Sequence, residues 1–326
     1  MKILAFSPTP LDAPGGNSAT LRRIGRALAA RGHVFDVLVA GPDARLEELR
    51  AAADVANPDV LHFYHAWKTG RFLPGLASRP TVLTLAGTDV NEDRADPARR
   101  AAVDAALAAA DVVVTYSPAL APRARLLPKG VHLGAEPFDL RRAAGVGPGE
   151  ILILQAGGIR PVKNNLFALK ALHGDGLRLV FLGPVIDAAY GRELLAGVAA
   201  EPRARWLPAI PPDAMASAYA GADLVLNTSR SEGFSNALLE AMACGKAIVA
   251  SDVVGNRELR PGLLYRDETE LRDRVGRLAA SPELRRELGE SARARAAAFS
   301  VEKEVDALLD AYADARFRGG IGRIRC

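Results

Sequence analysis

Two glutamates, Glu232 and Glu240, are separated by seven residues in the stretch Ser231-Glu232-Gly233-Phe234-Ser235-Asn236-Ala237-Leu238-Leu239-Glu240. The apolar run Leu224-Val225-Leu226-Asn227 before it predicts a strand, and the segment from Asn236 to Ala243 predicts a helix. Glu232 then falls in the loop that leaves the strand, and Glu240 about one and a half turns into the helix, so both carboxylates project into one cleft at different depths. In an open α/β sheet, ligands bind at such loops. Carboxylates accept hydrogen bonds from hydroxyls, and the first amides of a helix, near Ser235 to Leu238, form a partial positive end that suits phosphate.

Other chemistry-bearing residues sit at predicted strand ends. His65 follows the strand Val60 to Tyr64 and either faces the cleft or is packed. Asp89 follows the strand Thr81 to Leu85 and either meets a ligand or caps a helix from Asn91 onward. Gly15 and Gly16 follow the strand Lys2 to Phe6 in a turn with Pro14. His132 and His173 are assigned no role.

The elements that must position these residues alternate strand and helix. A helix capped by Asn17 or Ser18, with Leu21, Ile24 and Leu28 on one side, ends at Gly32. Strands follow at Val34 to Ala40 and Val112 to Thr115, which makes a parallel sheet covered on both faces. The segment Arg141 to Glu150, with Gly145, Gly147, Pro148 and Gly149, reads as a linker. The pattern then restarts with strands at Ile151 to Leu154, Leu179 to Leu182, Ala204 to Leu207 and Ala247 to Ala250. Two Rossmann-like α/β domains are expected, 1–145 and 146–300, with a final helix 301–317 whose Val305, Leu308, Leu309 and Tyr312 pack back on the first.

Composition bounds the function. The 326 residues are 49% hydrophobic and 25% charged with a net charge of +4, a globular balance. No apolar run approaches the ~20 residues that span a bilayer, and the N-terminus lacks a signal-peptide core. Cytoplasmic residence is expected. The two cysteines, Cys244 and Cys326, provide no disulfide framework or zinc cluster. Nucleic acid is not implied. The tail from Arg316 to Arg325 is basic with apolar residues between, a frayed terminus or a weak peripheral membrane contact.

On Glu232-Gly233-Phe234 with Asn236-Ala237-Leu238-Leu239-Glu240, the chain resembles the retaining glycosyltransferases of the GT-B fold, family 4 group. Pro14-Gly15-Gly16, Thr84 to Asp89, Lys163, Ala222 to Asn227 and the Phe299-Ser300-Val301 helix extend the likeness along the chain. Gly158-Ile159-Arg160-Pro161-Val162-Lys163 and Gly87-Thr88-Asp89-Val90-Asn91-Glu92 look most like the short glycosyltransferase-1-domain-containing branch, with a more distant likeness to selenosugar-forming enzymes. The resemblance implies two domains facing across a cleft, acceptor on the first and nucleotide sugar on the second, with the C-terminal helix crossing back. It implies Glu232 against the donor sugar, Glu240 against the ribose, and Lys163 with Arg160 against the diphosphate. Gly158, Gly233, Phe234, Ser235, Asn236, Ala237 and Leu238 would complete the donor site, and Leu207 to Pro211, Ile210 included, would line the base. Gly15 and Gly16 would let backbone approach the phosphates where a side chain would collide, and Asn17, His65 and Thr88 would lie on the acceptor side, with Asp89 among the catalytic groups.

Two positions depart from the family pattern: Gly158 stands where an arginine is usual, so Arg160 must reach in, and Ala86 stands where many members have histidine. The implied reaction moves a sugar, with retention, from a nucleotide diphosphate, most simply UDP, to a small-molecule acceptor. Cations at the diphosphate stabilise the leaving group, and the chain has no Asp-x-Asp pair, so metal-independent transfer without a cofactor is expected. A catalytically weak nucleotide-sugar-binding protein is the alternative. A two-Rossmann NAD-dependent dehydrogenase is a weaker one, because neither glycine-rich turn has the Gly-x-Gly-x-x-Gly pattern.

Overall fold

The computed structural model describes residues 1–324 apart from Pro14, Pro118, Leu120, Ala121, Arg123, His173 and Asp175, and excludes the side chains of Asn91 and of residues from 320 onward. Of the positions noted above, Pro14, His173, Cys326 and the end of the basic tail lie outside the described residues. The chain forms two compact units, Met1–Gly130 with Phe299–Cys326, and Val131–Ala298.

In the first unit six parallel strands, β1 (Lys2–Ser7), β2 (Val34–Val39), β3 (Val60–Tyr64), β4 (Thr81–Leu85), β5 (Val112–Thr115) and β6 (Arg125–Leu126), lie in the order β2-β1-β3-β4-β5-β6. Ile3, Phe6, Leu61, Phe63, Val82 and Leu83 are fully buried, as expected of strands covered on both faces. The helices are α1 (Gly16–Ala30), α2 (Leu46–Ala56) and α3 (Pro97–Ala109). Leu21, Ile24 and Leu28 bury one stripe of α1 in the core. The start of α1 differs from expectation: Gly15 holds the cap position, and Ser18 is turned inward with its Oγ donating to Pro10 O at 2.9 Å.

In the second unit the strands are β7 (Ile151–Ala156), β8 (Leu177–Leu182), β9 (Ala204–Leu207), β10 (Leu224–Asn227), β11 (Ala247–Ser251) and β12 (Leu263–Tyr265), all parallel, in the order β12-β11-β10-β7-β8-β9. Its helices are α4 (Leu140–Ala144), α5 (Asn165–Ala171), α6 (Ala188–Ala200), α7 (Met215–Gly221), α8 (Asn236–Ala243), α9 (Val254–Leu259), α10 (Glu268–Ala280) and α11 (Pro282–Ala296). The final helix, α12 (Val301–Ile324), belongs to the first unit and runs beyond residue 317. Val305, Leu308, Ala311 and Tyr312 are fully buried there, and Arg23 of α1 makes a two-pronged ion pair with Glu304 at 2.9 and 2.8 Å.

The division between units falls at Gly130/Val131 rather than after residue 145. Residues 131–145 are tied to the second unit by Glu136 N–H on Asp213 O (3.0 Å), by Ser217 Oγ on Glu136 O (2.6 Å) and by the Arg141–Asp223 ion pair (2.8 Å). Gly145, at φ 65°, closes α4 and is not a linker glycine.

The strand orders locate the crevices. In the second sheet β7 lies between β8 and β10, so successive crossovers diverge from it on either side; in the first, β1 lies between β2 and β3. The loops after β7 and β10, and those after β1 and β3, therefore leave their sheets at topological switch points, where open α/β sheets bind ligands.

Candidate active site

Within the second unit, the loop after β7 carries Lys163 at the end of a 3-10 turn, Pro161–Lys163, and the loop after β10 carries Glu232. Two side chains expected to serve different parts of a ligand meet directly. Lys163 Nζ donates to Glu232 Oε1 at 2.6 Å, with the lysine side chain 19% and the glutamate 9% exposed. Ser229 Oγ (2.6 Å) and Asn227 Nδ2 (3.1 Å) donate to the same oxygen. With Oε1 receiving all three donors, Oε2 is the oxygen left to accept from a ligand. Burial alone would raise the carboxyl's pKa, but the Lys163 ammonium and the hydrogen bonds from Lys163, Ser229 and Asn227 more than offset it and hold Glu232 below the usual carboxylate range.

The two loops are stitched together by groups that sequence reasoning did not single out. Gln155, near the end of β7, donates from Nε2 to Lys163 O (3.1 Å) and to Thr228 Oγ1 (2.7 Å). Thr228 Oγ1 donates in turn to Lys163 O at 2.8 Å, and Arg230 N–H to Val162 O at 2.9 Å. Polar residues ending otherwise apolar strands, Gln155 in Ile151-Leu152-Ile153-Leu154-Gln155 and Asn227 in Leu224-Val225-Leu226-Asn227, were the available signal.

The other donor-side residues are less uniform. Glu240 is half-buried on α8 and accepts from the Tyr219 hydroxyl at 3.1 Å. Ser235 caps α8 and its Oγ takes the Leu238 amide at 3.4 Å, so that amide, expected to face phosphate, is already satisfied, and Leu238 itself is core. Asn236, Ala237, Gly233 and Phe234 line the half-buried entry to the helix. Arg160 heads the 3-10 turn, exposed, and gives its carbonyl to Lys163 N–H; its guanidinium makes no ion pair among the described residues. A Cβ on Gly158 would stand 2.7 Å from Ile186 Cγ1, so a side chain there would have to displace the half-exposed Ile186. Leu207 ends β9 half-buried, and Ile210 lies half-buried in the exposed loop after it.

In the first unit two expectations, those for Asp89 and His65, need correction. Asp89 is fully buried, and its two oxygens accept from the backbone amides of Ala66, Ala86, Gly87 and Val90 at 2.8–3.1 Å. It organises the turn after β4 and has no face for a reacting group. His65 is 1% exposed; its Nδ1 accepts from Lys68 N–H at 3.2 Å, which leaves Nε2 to donate to Thr88 Oγ1 at 2.9 Å. Burial lowers its pKa although Asp89 and Asp93 are near, so the neutral ring braces the Gly87-Thr88 turn instead of contacting an acceptor. Gly15 is exposed at a φ of 147° that favours glycine, and a Cβ added there would meet no atom of the chain within 4 Å. Asn17 lies half-buried in the first turn of α1, beside exposed Gly16, and Thr88 is half-buried.

Comparison with known proteins sets these units in a family. Residues 151–281 match the family model described as glycosyl transferases group 1. D-inositol 3-phosphate glycosyltransferase of Actinosynnema mirum is 30% identical over 96% of this chain and 97% of that protein. The chain belongs to the group 1 glycosyltransferases. Glycosyltransferase 1 domain-containing protein 1 of Xenopus tropicalis is 26% identical over 90% of this chain and 92% of that protein, in keeping with the branch that the Gly158–Lys163 motif resembles. The chain spans about half the length of the first curated relatives it matches, 46% of the D-inositol 3-phosphate glycosyltransferase of Nocardia farcinica. Among solved structures, sucrose-phosphate synthase from Thermosynechococcus elongatus superposes with a TM-score of 0.80 at 23% identity, covering 99% of this chain and 98% of that one. Anabaena HepE in complex with UDP and glucose gives 0.79 at 20% identity, over 96% and 99%. The GT-B architecture of this group 1 glycosyltransferase follows from those superpositions, and the dehydrogenase alternative falls. Among the described residues no helix is long and apolar enough to cross a membrane.

Proposed function

We propose that this protein transfers a sugar from a nucleoside diphosphate sugar, with UDP-glucose as the first donor to test, to a hydroxyl group of a small acceptor. The observation that carries the reading is the Lys163–Glu232 pair at the switch point of the second sheet, in a chain of the group 1 glycosyltransferase family. The donor choice is supported by the UDP-glucose complex of Anabaena HepE, a protein of the same fold.

In this account the bond that breaks joins the anomeric carbon to the diphosphate oxygen, and negative charge grows on the leaving diphosphate. The Lys163 ammonium answers that charge, and Arg160 adds a second, solvent-exposed cation. A charge-assisted contact that strengthens as the bond breaks stabilises the transition state more than the ground state. Oε2 of Glu232 accepts from a sugar hydroxyl, while Glu240, steadied by Tyr219, accepts from the ribose. The acceptor oxygen bonds to the anomeric carbon and its proton passes to a diphosphate oxygen, which balances the charge without an added base. Attack on the face that the diphosphate leaves retains the anomeric configuration. Asn17 and Thr88 are the acceptor-side residues in the first unit. Transfer is metal-independent, because the cations needed for the leaving group are side chains.

Incubation with UDP-glucose, and with GDP- and ADP-linked sugars in parallel, tests the reading by release of nucleoside diphosphate through slow hydrolysis. Release from at least one donor, undiminished by EDTA, is the expected result. Tight binding without release would favour a nucleotide-sugar-binding protein, the reading that Ala86 supports. No binding of any donor would overturn both.

A further inference from the structure

Helix α9 lies outside every motif discussed so far, yet its first turn packs against the Glu232 loop. A Cβ on Gly255 would stand 2.6 Å from Glu232 O and 2.8 Å from Gly233 O, so the helix start and the loop backbone are in contact. The next residue, Asn256, is fully buried. Its Nδ2 donates to Asn227 Oδ1 at 3.0 Å and to Ser251 O at 3.0 Å, while its own Oδ1 has no partner. A buried amide with an unmet carbonyl is costly to keep, which asks for a reason beyond packing.

The reason lies in Asn227. That side chain can face Glu232 with either its NH2 or its carbonyl, and only the first supports a carboxylate. Asn227 Oδ1 receives Ser229 N–H at 3.1 Å and Asn256 Nδ2–H at 3.0 Å. Ser251 Oγ also lies 3.3 Å away, but its single proton goes to Ser229 O at 2.6 Å. Two donors therefore fix the carbonyl end, one from the loop itself and one from α9. With that end fixed, Nδ2 must point at Glu232 Oε1.

We propose that Asn256 is a positioning residue for Glu232, acting through the Asn227 amide to hold Oε1 and so present Oε2 to the donor sugar. The chain of contacts runs from α9 to the end of β10 and on to the carboxylate that Lys163 also holds. This inference rests on the proposed role of Glu232, and its test is chosen to work without any donor.

The carboxyl carbon of Glu232, assigned in 13C-glutamate-labelled protein by its loss in Glu232→Gln, is titrated by NMR in wild type, Asn256→Ala, Asn227→Ala and the double variant. Lys163, the cation facing Glu232, is present in all four. Asn227→Ala should raise the Glu232 pKa by about one unit and Asn256→Ala by about half a unit, with the double variant no higher than Asn227→Ala alone. Turnover of UDP-glucose should fall in the same order, with UDP affinity unchanged. Additive shifts in the double variant, or no shift in Asn256→Ala, would overturn the relay. Should Asn256→Ala fail to fold, Asn256→Leu, close in size and without a donor, is read in the same way in both Asn227 backgrounds. Failure to turn over UDP-glucose in wild type would count against the donor reading alone, because the titration needs no ligand.

Discussion

Lys163 Nζ and Glu232 Oε1 lie 2.6 Å apart although they are 69 positions apart in the chain. A cation meant for diphosphate is thus already paired with a carboxylate meant for sugar. On the proposed reading, donor binding shares the ammonium between the two, and after the nucleoside diphosphate departs Glu232 competes for Lys163. The pair would then both aid bond cleavage and limit product retention.

Removing the charge of Glu232 separates these effects. Glu232→Gln should bind UDP more tightly than wild type, by about three- to tenfold, because Lys163 loses its competing partner. UDP-glucose turnover should fall by about two orders of magnitude. Calorimetry with UDP alone checks the first part; weaker binding in the variant would contradict the competition.

The limits of sequence reading are visible in this same site. β10 was legible because an apolar run is a local signal, and β10 and α8 fall at Leu224–Asn227 and Asn236–Ala243 as expected. β6 and β12, of two and three residues, are too short to show periodicity. Arg141 to Glu150 carry linker composition, yet Arg141 pairs with Asp223 and the stretch belongs to the second unit. Asp89 has the type and place of a catalytic carboxylate, and only tertiary structure shows its oxygens taken by four amides. Lys163 was found through resemblance, since nothing local to its own segment names its partner.

The terminal helix should be a stability element. Arg23 and Glu304 are 10% and 0% exposed, so removing one partner leaves a buried, uncompensated charge. Arg23→Ala should cost about 3–5 kcal/mol and lower the melting temperature of the first unit by about 10 °C. A melting shift below about 2 °C by circular dichroism would show the pair to be dispensable.

His62 predicts how stability depends on pH. It is fully buried between Tyr312 Oη and Thr84 Oγ1, each at 2.7 Å, and burial pushes its pKa down to about 3. The unfolded chain binds a proton at this residue below its ordinary value of ~6.5, while the folded chain does not until about pH 3. Stability is therefore fully present above that ordinary value and is lost as pH falls toward 3. Between pH 7 and 5 the loss from this residue is about 2 kcal/mol. Urea unfolding at both pH values should show that loss in wild type and not in His62→Gln. Equal losses in the two proteins would remove His62 as the cause.

The role of Lys163 is the central claim. Its alanine variant removes the charge that answers the leaving diphosphate, worth about 1.5–3 kcal/mol in ordinary settings and more where water is excluded. Arg160 can cover part of that charge, so the measurement is the rate of UDP release from saturating UDP-glucose in wild type, Lys163→Ala, Arg160→Ala and the double variant. The account predicts a fall of about two to three orders of magnitude for Lys163→Ala, a smaller fall for Arg160→Ala, and the lowest rate in the double variant. Near-normal release from both Lys163→Ala and the double variant would contradict it and place the diphosphate elsewhere.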